Sequence, residues 1–208
     1  MLMSLPITSA LILIFVLWLQ YEIRKDSRSS KRSLELFWKK EQGSNLTRKK
    51  DISELSYLTV SLDSLPMEDH EDETINSYRD LIRNYSGRKM LNLSGLTNTE
   101  LKYRYGAANI TLLSEYDNNY TAFVSMLQKW AQRLMDKGYE ADAQRVLEFS
   151  IHSCLTDVTG AYRLLARIYH NQNSADKIDS IIHIIPRSSI RDKEKLTQEL
   201  EAVKNRLF

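Results

Sequence analysis

The sequence predicts an all-α protein: an N-terminal transmembrane helix followed by a domain of antiparallel helix hairpins with capping helices. Three observations predict it. The first 21 residues carry no charged side chain, apolar residues recur with a period near 3.6 from residue 71 onward, and the 208 residues include only 6 Gly and 3 Pro. So few turn-forming residues disfavour collagen-like chains and all-β folds. An apolar fraction of 42% is enough for a packed core.

Residues 1–21 are the first predicted element, an uncleaved transmembrane anchor. The run from Leu11 to Leu19 is apolar on every side. About 18 helical residues would extend about 27 Å, close to the hydrocarbon thickness of about 30 Å. Trp18 and Tyr21 lie at the exit of this helix, where aromatic rings favour the membrane interface. A cleaved signal peptide would carry basic residues before the apolar run and a small-residue cleavage site after it.

Residues 22–50 are the second element, a basic juxtamembrane segment with ten basic and four acidic side chains. Basic residues just after the apolar run place the following domain in the cytoplasm, so the sequence predicts a single-pass cell-membrane protein. We expect anionic lipid as a partner of this segment and no nucleic acid, because topology already explains the positive charge. The residues predicted to contact the membrane surface are Arg24, Lys25, Arg28, Lys31, Arg32, Phe37 and Trp38.

Two features of the chain leave alternatives open. Leu34, Phe37 and Trp38 follow an i, i+3, i+4 pattern, which is typical of a helix on the membrane surface but also fits a continuation of the first helix that docks on the domain. Five N-x-S/T sequons would be glycan acceptors on an external face, although the charge distribution outweighs them. They begin at Asn45, Asn84, Asn92, Asn109 and Asn119.

Residues 51–70 are predicted to be an extended linker, with an alternating apolar stretch over 57–62. The acidic run 68–73 comes next. We interpret this run as the start of a helix, because acidic side chains favour the positive end of the helix dipole. The alternatives are a divalent metal site or a partner for basic residues within the chain.

The remaining domain, residues 71–208, is predicted to be helical throughout. Its boundaries come from capping residues and from Gly or Pro at the ends of apolar stripes. The first predicted helix carries an apolar stripe from Ile75 to Tyr85 and is closed by Gly87, and a short second helix extends from a Thr97/Glu100 capping box to Gly106. Two further helices are predicted over about 118–137 and about 140–154. The last three are a helix capped by Asp157, a helix capped by Ser174 and stopped by Pro186, and a helix from Ile190 to Leu207.

The middle helices repeat with an offset of 35 residues. The residues Trp130, Ala131, Leu134, Gly138, Ala143 and Leu147 recur as Leu165, Ala166, Tyr169, Asn173, Ile178 and Ile182. With these large–small pairs and a turn glycine, the segment of about 119–186 resembles the tetratricopeptide repeat family. Gly138 and Asn173 are predicted to take the left-handed conformation at the turns. The stretch from Phe37 to Tyr169 is also similar to a group of uncharacterised bacterial single-pass membrane-anchored proteins, a likeness that implies no activity.

The candidate site is a peptide-binding groove. Arg163, Arg167 and His170 lie at i, i+4, i+7 on one helix face, and by the resemblance this face lines the concave groove that holds extended peptides. The neighbouring helix adds Gln128, Gln132 and Met135. Guanidinium groups suit carboxylates, so the predicted ligand is an acidic peptide or an acidic C-terminus of a protein partner. The alternative is a solvated basic face, or one covered by the final helix.

The chain shows no glycine-rich phosphate loop and no GxSxG, HExxH or CxxC motif, so we expect no enzyme, cofactor or metal. The single cysteine, Cys154, is interpreted as a small core residue. The predicted function is an adaptor or assembly factor at the membrane. The alternative is a structural or regulatory subunit of a larger membrane complex, with the acidic run 68–73 in its own groove. An enzymatic or small-ligand domain ranks third.

Overall fold

A computed structural model describes the backbone of residues 4–207 and the side chains of residues 12–25 and 31–207. Over these residues the chain is helical, as the sequence predicts, and contains no β-strand. The α-helices are α1 (Ser4–Asn45), α2 (Glu73–Ser86), α3 (Asn98–Tyr105), α4 (Ile110–Asp136), α5 (Glu140–Glu148), α6 (Thr159–Asn171), α7 (Ala175–Ile182) and α8 (Lys193–Lys204). A π-helical turn, Phe149–Ser153, directly follows α5.

The helix α1 corrects the prediction of a transmembrane anchor over residues 1–21. In the part of the chain that the structure describes, no helix is both long enough and apolar enough to cross a membrane. The described side chains from Ile12 to Leu19 are apolar, and the polar Gln20 follows them. The predicted anchor, and the single-pass cytoplasm-facing localisation built on it, are therefore wrong. Residues 1–3 lie outside the described part.

Residues 33–42 continue α1 instead of forming a separate surface helix. Phe37 and Trp38 pack edge to face against each other, and both stay more than half exposed. The other residues predicted to contact a membrane surface are exposed along the same helix, namely Arg24, Lys25, Lys31 and Arg32. The side chain of Arg28 lies outside the described residues. The contacts of these residues with anionic lipid stay a prediction.

The chain divides into two compact units. The first unit combines the segment that ends at Lys50 with Thr97–Ile110, and the second combines Asp51–Leu96 with the chain from Thr111 onward. The sequence assigned residues 97–110 to the same domain as the rest of 71–208. Their pairing with the N-terminal segment was not predicted, because no local pattern in the sequence reports it.

Within the first unit, α3 is tied to the C-terminal end of α1. The predicted capping box is confirmed, because the Thr97 side chain accepts from the backbone N–H of Glu100 and the Glu100 side chain accepts from the backbone N–H of Thr97. The carboxylate of Glu41 accepts a hydrogen bond from the hydroxyl of Thr99 at 2.6 Å and forms an ion pair with Lys102. These polar contacts fasten α3 at both its first turn and its middle.

The second unit has one buried cluster, to which α2 and α4–α8 all contribute. Its largest fully buried side chains include Trp130, Tyr120, Tyr162 and Phe123. The helix α6 packs against α5, α7 and α8, so it is central to the unit. Cys154 is buried, as predicted, and burial raises the pKa of its thiol.

The two turns at Gly138 and Asn173 have the same geometry, 35 residues apart. Both residues adopt positive φ, +82° and +52°, so the predicted left-handed conformations are confirmed. The backbone N–H of Tyr139 donates to the carbonyl of Leu134 at 2.9 Å, and that of Ser174 donates to the carbonyl of Tyr169 at 2.9 Å. Each hydrogen bond closes the six-to-one ring of a Schellman motif. The boundaries Asp136/Asn171 and Glu140/Ala175 keep the same 35-residue offset.

Other helix boundaries differ from the prediction. The helix α4 begins at Ile110 instead of about 118, because its apolar face already includes the buried Leu113. Asp157 does not cap α6; the N-cap is Val158, and the carboxylate of Asp157 accepts from the hydroxyl of Ser94 at 3.2 Å. The side chain of Ser174 makes no capping bond.

Candidate functional site

A cleft opens between α6 and α8 in the second unit, and we call it the α6–α8 cleft. Its volume is about 700 Å³, within the range typical of ligand pockets. Apolar atoms dominate its walls, while its charged side chains come from both helices. The lining residues are Gln132, Gly160, Arg163, Leu164, Arg167, His170, Glu199, Leu200, Ala202, Val203 and Arg206.

The apolar floor of the cleft is the edge of the core. Leu164 and Leu200 are buried, and Val203 is partly buried against the core cluster. These residues follow the helical period on α6 and α8, and Arg163 and Arg167 occupy the exposed positions of that period on α6. The amphipathic pattern that builds the core thus also sets the arginines of α6 at the cleft rim.

Three of the six predicted groove residues form the rim along α6. Arg163, Arg167 and His170 all line the cleft, and both arginines are exposed while His170 is half-buried. Gln132 of α4 also lines the cleft, but its side-chain amide donates to the carboxylate of Asp136 at 2.8 Å. The structure therefore brings four of the six residues to one cleft.

The other two residues lie beneath or beside the cleft. Gln128 packs under Gly160, where a Cβ atom would lie only 3.1 Å from the amide nitrogen of Gln128. Glycine at this position lets α6 approach α4 closely, and the amide oxygen of Gln128 is buried without a hydrogen-bond partner in the described structure. Met135 is half-buried against the core. Neither residue lines the open cleft.

An ion pair inside the cleft joins α6 to α8. Arg163 Nε donates to Glu199 Oε2 at 2.8 Å, and Arg163 Nη1 donates to Thr159 Oγ1 at 3.1 Å. The hydrogen bond from Arg163 lowers the pKa of the Glu199 carboxyl, and the charges of Arg163 and Lys195 lower it further. Glu199 is therefore ionised at neutral pH.

Positive charge prevails in the cleft. Among its described lining residues, Arg163, Arg167 and Arg206 are cationic and Glu199 is the one acid. Concave surfaces with low-dielectric walls focus the field of such charges. The arrangement therefore attracts anionic groups, and the planar guanidinium forks favour carboxylates.

Arg163 also lines a second depression, of about 660 Å³, around the N-terminal ends of α6 and α8. Its charged lining is mixed, because Asp157 and Asp192 accompany Arg191 and Lys195. The depression lies next to the α6–α8 cleft at Arg163, so this one side chain stands between the two.

The acidic run 68–73 is engaged away from the α6–α8 cleft. Asp72 caps α2 by accepting from the backbone N–H of Ile75 at 3.1 Å, and it pairs with Arg133 at 2.6 Å and Lys137 at 3.2 Å. Its pKa is held well below the usual range, above all by the hydrogen bond from Arg133. The run thus serves as a helix start and also as a partner for two basic residues, Arg133 in α4 and Lys137 directly after it.

Two further residues of the acidic run also contact side chains outside the α6–α8 cleft. Asp69 pairs with Arg79, and His70 Nε2 lies 3.1 Å from the carboxylate of Asp142. The described lining of the cleft includes none of the residues 68–73. The alternative in which this run fills the groove therefore has no support in the structure.

The sequence did not predict two charged residues of the cleft, Glu199 on α8 and Arg206 in the turn after it. Both lie on the polar face of a predicted amphipathic helix, where charged residues are ordinary. Only the packing of α8 on α6 places them opposite Arg163 and Arg167, and no spacing rule within either helix reports that packing. The final helix does not cover the basic face, because α8 forms one wall of the cleft and leaves it open.

Comparisons with protein-family models, with curated proteins and with solved structures found no match for this chain.

Proposed function

We propose that this chain is a helical-repeat protein-interaction module that binds an acidic peptide of a partner protein in the α6–α8 cleft. It would serve as an adaptor or assembly factor, and the proposal assigns it no catalytic activity. The observation that carries the proposal is the cleft itself: a concave surface with an apolar floor and three arginines, open at neutral pH to carboxylates.

The repeat character of the module is part of the proposal. It is supported by the Schellman turns at Gly138 and Asn173 and by helix boundaries that recur at an offset of 35 residues. Stacked helix hairpins of this kind build concave binding surfaces because each hairpin buries its apolar face only against its neighbours.

The length of α6 sets the expected size of the bound segment. Thirteen residues at about 1.5 Å each extend about 20 Å. An extended peptide covers this distance with about six residues at about 3.3 Å each. Alternate side chains of such a peptide point to opposite sides, so acidic residues would face the arginines while apolar residues face the floor.

The test uses the full-length chain and a fluorescein-labelled peptide of alternating Glu and Val, about six residues long. Fluorescence anisotropy measures its binding against a matched peptide with Gln in place of each Glu. We expect the Glu peptide to bind more tightly than the Gln peptide. Added salt should weaken this binding, because the attraction is electrostatic. Equal affinity for both peptides would contradict the proposal.

Two variants test whether the peptide binds in the α6–α8 cleft. Arg167→Gln removes a cationic group from the cleft, and we expect it to weaken the Glu peptide about fivefold, in line with the strength of exposed ion pairs. Arg187→Gln changes an exposed arginine that does not line the cleft and should leave the affinity unchanged. Equal effects of the two variants would place any binding elsewhere.

A second candidate function, a subunit of a larger complex, is supported by the exposed apolar surface of α1. Leu34, Leu36, Phe37 and Trp38 are each more than half exposed, and contiguous exposed apolar surface often marks a protein–protein interface. Sedimentation of the full-length chain distinguishes the two. Association at every accessible concentration would favour the subunit, and a monomer that binds the Glu peptide would favour the adaptor.

A further inference from the structure

We infer that Glu199 is an internal competitor of the acidic ligand, occupying in the free protein the guanidinium group that the ligand needs and thereby setting the affinity of the cleft. The inference rests on the proposed function and adds to it a specificity-determining residue on α8.

The first support is the chemistry of the contact. The Glu199 carboxylate accepts a hydrogen bond from Arg163 Nε at 2.8 Å inside the cleft. A carboxylate on a guanidinium group is also the contact expected of the ligand. Glu199 therefore marks the position of one ligand carboxylate, and the two cannot use the same donor at the same time.

The second support is the exposure of the pair. The side chain of Arg163 is 51% exposed and that of Glu199 is 35% exposed. Exposed ion pairs are weak because water solvates both partners when they separate. The ion pairs of Asp72 differ from the Arg163–Glu199 pair, because the Asp72 side chain is only 11% exposed and contacts two basic residues. The pair in the cleft is therefore the one that a ligand can exchange.

The third support is a place for the displaced carboxylate. Lys195 lies one turn before Glu199 on α8, and its charge already contributes to lowering the pKa of Glu199. Residues four apart on a helix are neighbours. When a ligand carboxylate takes Arg163, the side chain of Glu199 can turn toward Lys195, so displacement does not leave an unpaired charge.

The test is Glu199→Gln in the full-length chain, with the same Glu/Val peptide and anisotropy measurement. The variant keeps the shape of the side chain and removes its charge. We expect the peptide to bind about two- to fivefold more tightly, the range that corresponds to one exposed ion pair. Glu199→Ala should act in the same direction, and far-ultraviolet circular dichroism checks that both variants keep their helical content.

The matched control is Glu201→Gln, an exposed acid on the same helix that does not line the cleft. It removes the same charge from the chain, so any effect of net charge alone would appear in both variants. An equal gain in Glu199→Gln and Glu201→Gln would overturn the inference.

The outcomes separate this inference from the proposed function. If Arg167→Gln weakens binding while Glu199→Gln leaves it unchanged or weakens it, the cleft binds acidic peptides but Glu199 is no competitor. If neither the wild type nor Glu199→Gln prefers the Glu peptide over the Gln peptide, both ideas are wrong. Binding that appears only in Glu199→Gln would support both.

Discussion

Two regions of the molecule, the helices α1 and α4, carry large apolar side chains in opposite environments. In α1 the side chains of Ile12–Leu19 are each between 40% and 64% exposed. In α4 the side chains of Phe123, Val124, Leu127 and Trp130 are fully buried. The two helices differ less in their apolar residues than in the spacing of those residues.

Spacing decides burial because a helix presents its residues at about 100° intervals. The apolar residues of α4 recur at i, i+3, i+4, i+7 and leave a polar face for water, so one side packs in the core. The apolar residues of Ile12–Leu19 are contiguous and surround the helix. Periodicity predicted the core of the second unit, whereas apolar content and length led to the incorrect membrane anchor.

The strongest test of this contrast compares two tryptophans. Trp130→Ala should lower the free energy of unfolding by about 3–5 kcal/mol, because it leaves a cavity in the core. Trp38→Ala removes a side chain that is 54% exposed, and it should change the free energy of unfolding by less than about 0.5 kcal/mol. Urea unfolding followed by circular dichroism measures both. Similar losses in the two variants would break the comparison.

A smaller effect is expected at the ends of the helices. Gly138 has φ +82° and open space where a Cβ atom would lie, so Gly138→Ala adds only backbone strain and should cost about 1 kcal/mol of unfolding free energy. Gly87 also has open space, but its φ is −84°. Gly87→Ala should therefore stabilise the protein by about 0.4–1 kcal/mol. The same urea titration measures the free energy of unfolding of both variants. Losses of equal size would rule out the explanation from the difference in φ.

The smallest effect concerns charged groups and appears only in acid. The pKa of Asp72 is lowered in the folded chain, so its contribution to stability is present above its unfolded pKa of about 3.9 and is lost as pH falls below it. Asp72→Asn keeps a good helix cap but removes the charge. The unfolding free energy of the variant should fall less than that of the wild type between about pH 5 and pH 3.

The control for this prediction lies on α1. Glu22 pairs with Lys25 at 3.6 Å, and both side chains are about half exposed or more. Glu22→Gln should leave the acid dependence of the unfolding free energy as it is in the wild type. A flatter profile in this variant would mean that exposed and partly buried ion pairs contribute alike.

Local chemistry explains which parts of the fold could be predicted. The Thr97/Glu100 box and the left-handed residues Gly138 and Asn173 depend on neighbours within six residues, and all were confirmed. The π-helical turn at Phe149–Ser153 and the association of residues 97–110 with the N-terminal segment were not predicted. Both depend on tertiary packing, which overrides local propensity.

In the candidate site, too, the residues placed by local sequence could be predicted and those placed by tertiary packing could not. Arg163, Arg167 and His170 share a face because they lie on one helix, and the structure brings them to one cleft. Glu199 and Arg206 belong to the same cleft only through packing between helices distant in sequence. Asp157 shows the reverse, since a residue typical of caps instead accepts a hydrogen bond from Ser94, 63 positions away.

The contacts of the linker 51–70 have a consequence for the order of folding. The helices α5, α6 and α7 pack against their immediate sequence neighbours, and such short-range contacts form quickly. The side chain of Arg145 instead donates to the carbonyl of Leu65, 80 positions away, which requires closing a long loop. These helices should therefore assemble first, and the linker should dock on them afterwards.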